Sequence, residues 1–169
     1  MSVSHALPPF QAFLDEHAPS VLAFLRGMVG PQDAEDCLQE TFLAALRAYP
    51  RAEPGNLRAW VLTIARRKAI DHHRSRVRRP LPVADPAEVA GGQSGDRSLG
   101  MGQRDSAIWA AVAELPPAQR AAVVLRFAID LRYREVGEAM GCSEEAARRS
   151  VHEGLKKLRL SAAELKEAA

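Results

Sequence analysis

The sequence predicts an all-α protein made of two small helical domains joined by a flexible linker. Three observations carry this expectation. Ala, Leu and Arg are frequent while aromatic residues make up only 5% of the 169 residues. Those three residues enter helices at little cost, and strand formers are few. Apolar side chains recur at three- and four-residue spacing on both sides of residues 80–103, the pattern of amphipathic helices. Residues 80–103 themselves, PLPVADPAEVAGGQSGDRSLGMGQ, hold three prolines and five glycines with few large apolar side chains. Such a stretch buries too little surface to offset its ordering entropy and is read as a linker. It leaves modules over 1–79 and 104–169, each long enough to fold alone.

In the first module, PFQAFLDEHAPSVLAFLRGMV has helical apolar spacing, with Pro19 marking a kink or break. GPQDAEDCLQETFLAALRAYP is a second helix, with acids in its first turns where the macrodipole favours them and Pro50 beyond its end. GNLRAWVLTIARRKAIDHHRSRVRR is a third, with Asn56 as N-cap and Leu57, Trp60, Val61 and Ile64 as its inward stripe. In the second module, RDSAIWAAVAEL is closed by Pro116 and Pro117, and PAQRAAVVLRFAI follows. RYREVGEAM, a GC turn and SEEAARRSVHEGLKKLRL have the spacing of a helix-turn-helix, with Gly141 in the turn and Ser143 as N-cap. Val136, Met140, Ala147, Val151, Leu155 and Leu158 are expected to join that pair, leaving Arg148, Arg149, His152 and Lys156 outside.

Several function classes are excluded or disfavoured. The N-terminus, MSVSHALPPFQ, has neither a basic start nor an apolar run, so no signal peptide is expected. No apolar stretch approaches the roughly 18 residues that span a bilayer. Cys37 and Cys142 form no CxxC pattern, which fits a reducing cytoplasm. Catalytic signatures are missing: there is no GxSxG, Walker loop or HExxH. No enzyme activity, small-molecule substrate or cofactor is expected.

Charge is distributed unevenly. Residues 31–55 carry Asp33, Glu35, Asp36, Glu40 and Glu53 against Arg47 and Arg51, whereas residues 56–79 carry eight Lys or Arg against Asp71 alone. An acidic segment followed by a basic one points to two different partners. The stretch RRKAIDHHRSRVRR, 66–79, admits three readings: a solvated helix face, a metal site or a nucleic-acid contact. His72 and His73 are neighbours about 100° apart on a helix and cannot chelate together, so no metal is expected. Few carboxylates at i±4 neutralise the cluster, which favours phosphate contact over plain solvent. Asp71 is expected to brace Arg67 and Arg74 along one face with Arg78.

With these pieces in order, the chain resembles an extracytoplasmic-function (ECF) sigma factor of bacterial RNA polymerase, in the sigma-70 family. The matching stretches are DAEDCLQETFLAAL, NLRAWVLTIARRKAIDHHRSR, LPPAQRAAVVLRF and YREVGEAMGCSEEAARRSVHEGLKKLR. The resemblance implies a region 2 bundle over 1–79 that binds core polymerase and the −10 element, and a region 4 helix-turn-helix over 104–169 that binds the −35 element. For core-polymerase binding it implies Asp33, Gln39, Glu40, Phe42 and Leu43. For the single-stranded −10 element it implies Asn56, Trp60, Arg66, Arg67, Lys68, Asp71, His72 and Arg74, with Trp60 also open to a core role. For the duplex −35 element it implies Ser143, Glu144, Ala147, Arg148, Arg149, His152 and Lys156. The partners implied are core RNA polymerase, promoter DNA and an anti-sigma factor, in the cytoplasm and away from membranes.

One stretch departs from the family pattern. Family recognition helices are dense in Lys and Arg, whereas EAARRSVHEGL places Ser150, Glu153 and Leu155 where basic residues are common. A weak or unusual −35 contact is expected from this. Two other readings stay open on the residues alone: a helix-turn-helix regulator that works without polymerase, and a sigma-like protein that titrates an anti-sigma factor.

Overall fold

The computed structural model describes residues 7–53, 55–78 and 103–167, all of them helix, turn or connection with no strand among them. The N-terminal module holds α1 (Phe10–Val29), α2 (Pro31–Ala48), a 3₁₀ turn (Tyr49–Arg51) and α3 (Leu57–Arg78). The C-terminal module holds α4 (Gln103–Ala113), α5 (Pro117–Val123), a π turn (Val124–Ala128), α6 (Tyr133–Met140) and α7 (Glu144–Glu167). The expected linker falls on residues outside those described, apart from Gln103, which opens α4.

Helix α1 runs unbroken through Pro19, so the expected break is absent; the apolar face on either side of it outweighs the single lost hydrogen bond. Phe13, Val21, Phe24 and Leu25 on that face are fully buried. Gly30, at φ 87°, closes α1 with its N–H on Arg26 O at 3.1 Å and passes directly into α2, whose first residue is Pro31. A proline there has no N–H to leave unpaired. An aromatic cluster seals the far end of the bundle. Phe13 lies 6.1 Å from Phe42, 5.0 Å from Tyr49 and 5.8 Å from Trp60, ring centre to ring centre. Tyr49 Oη donates to Pro8 O at 2.8 Å. Trp60 therefore belongs to the core, one of the two roles its position allowed.

In the C-terminal module the helix after Pro116 changes pitch. Ile129 N donates to Val124 O and Leu131 N to Leu125 O, with Asp130 at φ 55° turning the chain into α6. Asp is among the few residues that adopt this conformation readily. Helix α6 ends in a Schellman motif: Cys142 N donates to Gly137 O at 2.9 Å and Gly141 N to Glu138 O at 3.2 Å, with Gly141 at φ 67°. A Cβ on Gly137 would stand 2.8 Å from Cys142 O, so this turn requires glycine there. Ser143 Oγ accepts from Ala146 N at 3.1 Å, capping α7 as expected.

The modules pack on one another. Helix α3 lies against α1, α2 and α6, and α1 also meets α4, α5 and the π turn. One hydrophobic cluster runs from Phe13 to Val151 across both. Arg120 stitches the seam. Its guanidinium donates to Ala113 O at the end of α4, to Leu115 O in the connection that follows, and to Met28 O of α1 at 2.9 Å. Among the described residues no helix is long and apolar enough to cross a membrane.

Among the described residues His17 is the one buried histidine, 7% exposed and edge-on to Phe13. Burial lowers its pKa; Glu16 opposes the shift and Arg58 adds to it. The folded chain thus holds it neutral where the unfolded chain takes up a proton, so its contribution is complete above the ordinary histidine range and is lost as pH falls below it. The melting temperature of the wild type should fall more between pH 7 and pH 5.5 than that of His17→Gln; parallel losses would contradict the assignment.

Candidate nucleic-acid interface

Helix α3 presents three faces, and the basic residues divide among them. Its start is fixed by Asn56, whose Oδ1 accepts from Ala59 N at 3.0 Å, a cap of about 1 kcal/mol. Val61, Leu62, Ala65 and Ala69 are buried, with Leu57, Trp60 and Ile64 half-buried beside them. The inward surface is wider than the stripe read from sequence, because α3 is covered on more than one side.

The second face looks at α2. Lys68 Nζ lies 3.7 Å from Glu40, while His72 Nε2 and Arg76 Nη1 lie 3.2 and 2.6 Å from the same Asp33 oxygen. Residues 68, 72 and 76 follow one another by single helical turns, so one row of nitrogen-bearing side chains meets the acidic row of α2. Arg76 was not among the expected site residues; its spacing of four from His72 was the available signal. The third face is open: Arg67, Asp71, Arg74 and Arg78 are exposed together. The expected brace is not formed, since among the described residues Asp71 pairs with neither Arg67 nor Arg74. The carboxylates that do bind α3 cations come from α2, leaving Arg67 and Arg74 available to an outside anion.

The remaining candidates point across the seam. Asn56 Nδ2 donates to Glu138 Oε2 of α6 at 2.8 Å, and Arg66 Nη1 to Met140 O at 3.3 Å. Arg58, not singled out beforehand, donates to Ile129 O at 2.8 Å.

On α2, the expected docking residues also separate. Gln39 and Glu40 are exposed and Leu43 is 54% exposed, whereas Phe42 is 7% exposed and packs on Phe13. Leu46, three residues beyond Leu43 and 49% exposed, extends the outward strip that sequence reasoning left unnamed. Cys37, beneath it, has its thiol pushed up to about 11 by burial, with the Glu40, Asp33 and Asp36 charges adding to the effect, so it is an inert core residue.

On α7, Glu144, Arg148, Arg149, His152 and Lys156 are exposed, while Ala147 is fully buried and serves the packing of the pair. Arg148 lies over the Tyr133 ring at 4.6 Å and 2.8 Å from Glu144 Oε1. Glu153, unexplained by the helix dipole, accepts from Gln119 Nε2 at 3.1 Å and ties α7 to α5. Gly154 beside it has no room for a Cβ, which would meet Val123 at 2.7 Å.

Two family models match the chain: Sigma-70 region 2 over residues 13–79 and Sigma-70 region 4 over residues 105–158. The sigma factor CarQ of Myxococcus xanthus is 37% identical over 157 residues, covering 89% of this chain and 87% of that protein. The ECF sigma factor SigE of Mycolicibacterium smegmatis is 31% identical across 91% of this chain, which spans 62% of that protein. Two solved structures share the fold. The sigma factor RpoE bound to the anti-sigma factor NepR, from Bartonella quintana, superposes with a TM-score of 0.69 at 23% identity over 89% of this chain and 94% of that one. CnrH, in complex with the cytosolic domain of CnrY, does so with a TM-score of 0.68 at 19% identity over 95% and 89%.

If the exposed face of α7 meets duplex DNA, Glu153→Arg should tighten binding several-fold at low salt and steepen its salt dependence by about one unit. Fluorescence anisotropy on duplex DNA reads both, and an unchanged affinity and slope would put Glu153 off the DNA face.

Proposed function

The chain belongs to the ECF sigma factors of the sigma-70 family, and from that premise we propose how its surfaces direct RNA polymerase to promoters. As a sigma factor it is a non-catalytic subunit. The outward strip of α2, Gln39, Glu40, Leu43 and Leu46, docks on core polymerase. The open face of α3, led by Arg67 and Arg74, tracks the backbone of the non-template −10 strand, with Asn56, Arg66, Lys68 and His72 at its margins. Cations along a strand that has lost its partner are what such binding requires. Helix α7 enters the major groove of the −35 element with Arg148, Arg149, His152 and Lys156, and Ser143 and Glu144 at its N-terminus stand nearest the duplex. Residues 1–79 and 104–169 thus act as the −10 and −35 modules.

One observation supports this division above the others. The acidic α2 and the basic α3 are fastened side by side through Asp33, His72 and Arg76, and through Glu40 and Lys68. Docking through the α2 strip therefore orients the α3 cations relative to polymerase without a further adjustment. Asp33 and Phe42 serve this arrangement from within, one as an anchor for cations and one as core. The solved neighbours bound to NepR and to CnrY make an anti-sigma factor the natural second partner, and the site of action is the cytoplasm.

Run-off transcription with core polymerase on a promoter library tests the reading. The wild type should start specific transcripts, and Arg67→Ala/Arg74→Ala should bind core normally yet yield at least about tenfold fewer open complexes, the loss of two phosphate contacts. A wild type that starts none would overturn the function, and a double mutant that opens promoters normally would overturn the role of α3.

A further inference from the structure

We infer that Arg148 is a fixed reader of one base edge in the −35 duplex, aimed by two positioning residues, Tyr133 of α6 and Glu144 at the start of α7. This rests on the functional reading above and deepens it, by dividing the cations of α7 between base and backbone.

Arg148 is held where its neighbours on the same helix are not. Its guanidinium carbon lies 4.6 Å from the centre of the Tyr133 ring, and its Nη2 donates to Glu144 Oε1 at 2.8 Å. Glu145 stands at the same four-residue spacing from Arg149, yet among the described residues that pair does not form. Arg148 is the one α7 cation among them paired with a carboxylate, while Arg149, His152 and Lys156 are exposed without one. Spacing alone therefore does not produce the contact. The difference is the ring, which Arg148 meets and Arg149, about 100° further round the helix, does not.

Tyr133 is itself fixed. It is half-buried and packs on the hydrophobic cluster, and a second guanidinium, that of Arg126, lies over its ring at 5.3 Å. Arg126 is anchored on Asp130 Oδ1 at 3.2 Å and on Leu131 O at 3.4 Å. The path from core to Tyr133 to Arg148 is thus rigid at its base and open at its tip, where the Arg148 side chain keeps 59% of its surface exposed. The packing of α6 on α7 does not need this stack, since Val136, Ala139, Ala147 and Val151 are already buried in the pair.

Held in this way, Arg148 suits a base better than a phosphate. The Glu144 carboxylate offsets its charge and repels a phosphate brought to the same point, so little counterion release is gained there. A base edge in the major groove is neutral, and guanine presents two acceptors, N7 and O6, to which an arginine fork donates as a pair. Such pairing depends on orientation, and the Tyr133 stack sets the plane of the fork before DNA arrives. An arginine left loose would first have to give up its rotamer freedom. Base contacts come from the first turns of a recognition helix, and Arg148 lies in the second turn of α7. Arg149 and Lys156, exposed and without a carboxylate, are left for the backbone.

The test uses holoenzyme, the full chain with core polymerase, on a promoter library randomised across the −35 element, with the templates of its transcripts sequenced. Wild type should prefer guanine at one −35 position by about tenfold. Arg148→Ala should flatten that position and leave the others, whereas Lys156→Ala should weaken binding to all sequences alike and lower the salt slope by about one. Tyr133→Leu should cut the guanine preference about threefold, and Tyr133→Phe, which keeps the ring, should retain it. Glu144→Gln should bind the unselected library more tightly at low salt while preferring guanine less, a pair of changes that damage to the fold would not produce. A Tyr133→Leu preference equal to that of wild type would overturn the positioning role, and so would an Arg148→Ala that behaves like Lys156→Ala. If circular dichroism shows that Tyr133→Leu has lost helix, Glu144→Gln decides alone. A wild type that starts no transcripts from the library overturns the functional reading; one that starts them with no guanine preference overturns this inference alone.

Discussion

Helix α3 is packed from two directions, onto α1 and α2 by its apolar residues and onto α6 by the polar side chains at its beginning, and this double burial organises the chain. Val61, Leu62, Ala65 and Ala69 are all essentially inaccessible, which a helix on the rim of a bundle would not need. Because two of its sides are used, only a narrow strip remains for an outside partner, and that strip carries Arg67, Arg74 and Arg78. Helix α3 is thus the structural centre of the N-terminal module and, in the function proposed above, the element offered to DNA.

The electrostatics follow from the same placement. Eight basic residues within 56–79 would repel one another on an isolated helix. Exposed ion pairs contribute little each, but the row on α2 removes Lys68 and Arg76 from that repulsion and, with His72 also against Asp33, fixes the phase of α3 about its axis. Asp33 takes two of these contacts while itself half-buried. Residues assigned by resemblance to polymerase and to DNA are therefore partners of each other, so in the function proposed above a change at Asp33 is expected to act on both.

Much of this was legible in the sequence. Helix extents, the Asn56 and Ser143 caps, the Gly141 turn and the basic cluster all rest on local rules, and local rules survive folding. What was not legible depends on contacts between distant segments. Asp71 sits at the right spacing to brace Arg67 and Arg74, yet the carboxylates that bind α3 come from a different helix. Phe42 and Ala147 lie within motifs that point outward, but each faces inward because its position on the helix, and not its motif, decides. Glu153 looked like a misplaced charge on a recognition helix and is held by Gln119, a partner 34 residues away. The packing of the two modules on each other left no signal in periodicity, because Arg120 looks ordinary until its neighbours are known.

The central claim is that α2 and α3, fastened side by side, turn one surface to polymerase and the next to the −10 strand. Photo-crosslinkers placed singly at Leu46 of α2 and at Arg78 of α3, both exposed, test it in complexes with core polymerase and promoter DNA. The account predicts capture of a polymerase subunit from Leu46 and of the non-template −10 strand from Arg78. Capture of neither in a complex competent to start transcripts would contradict it.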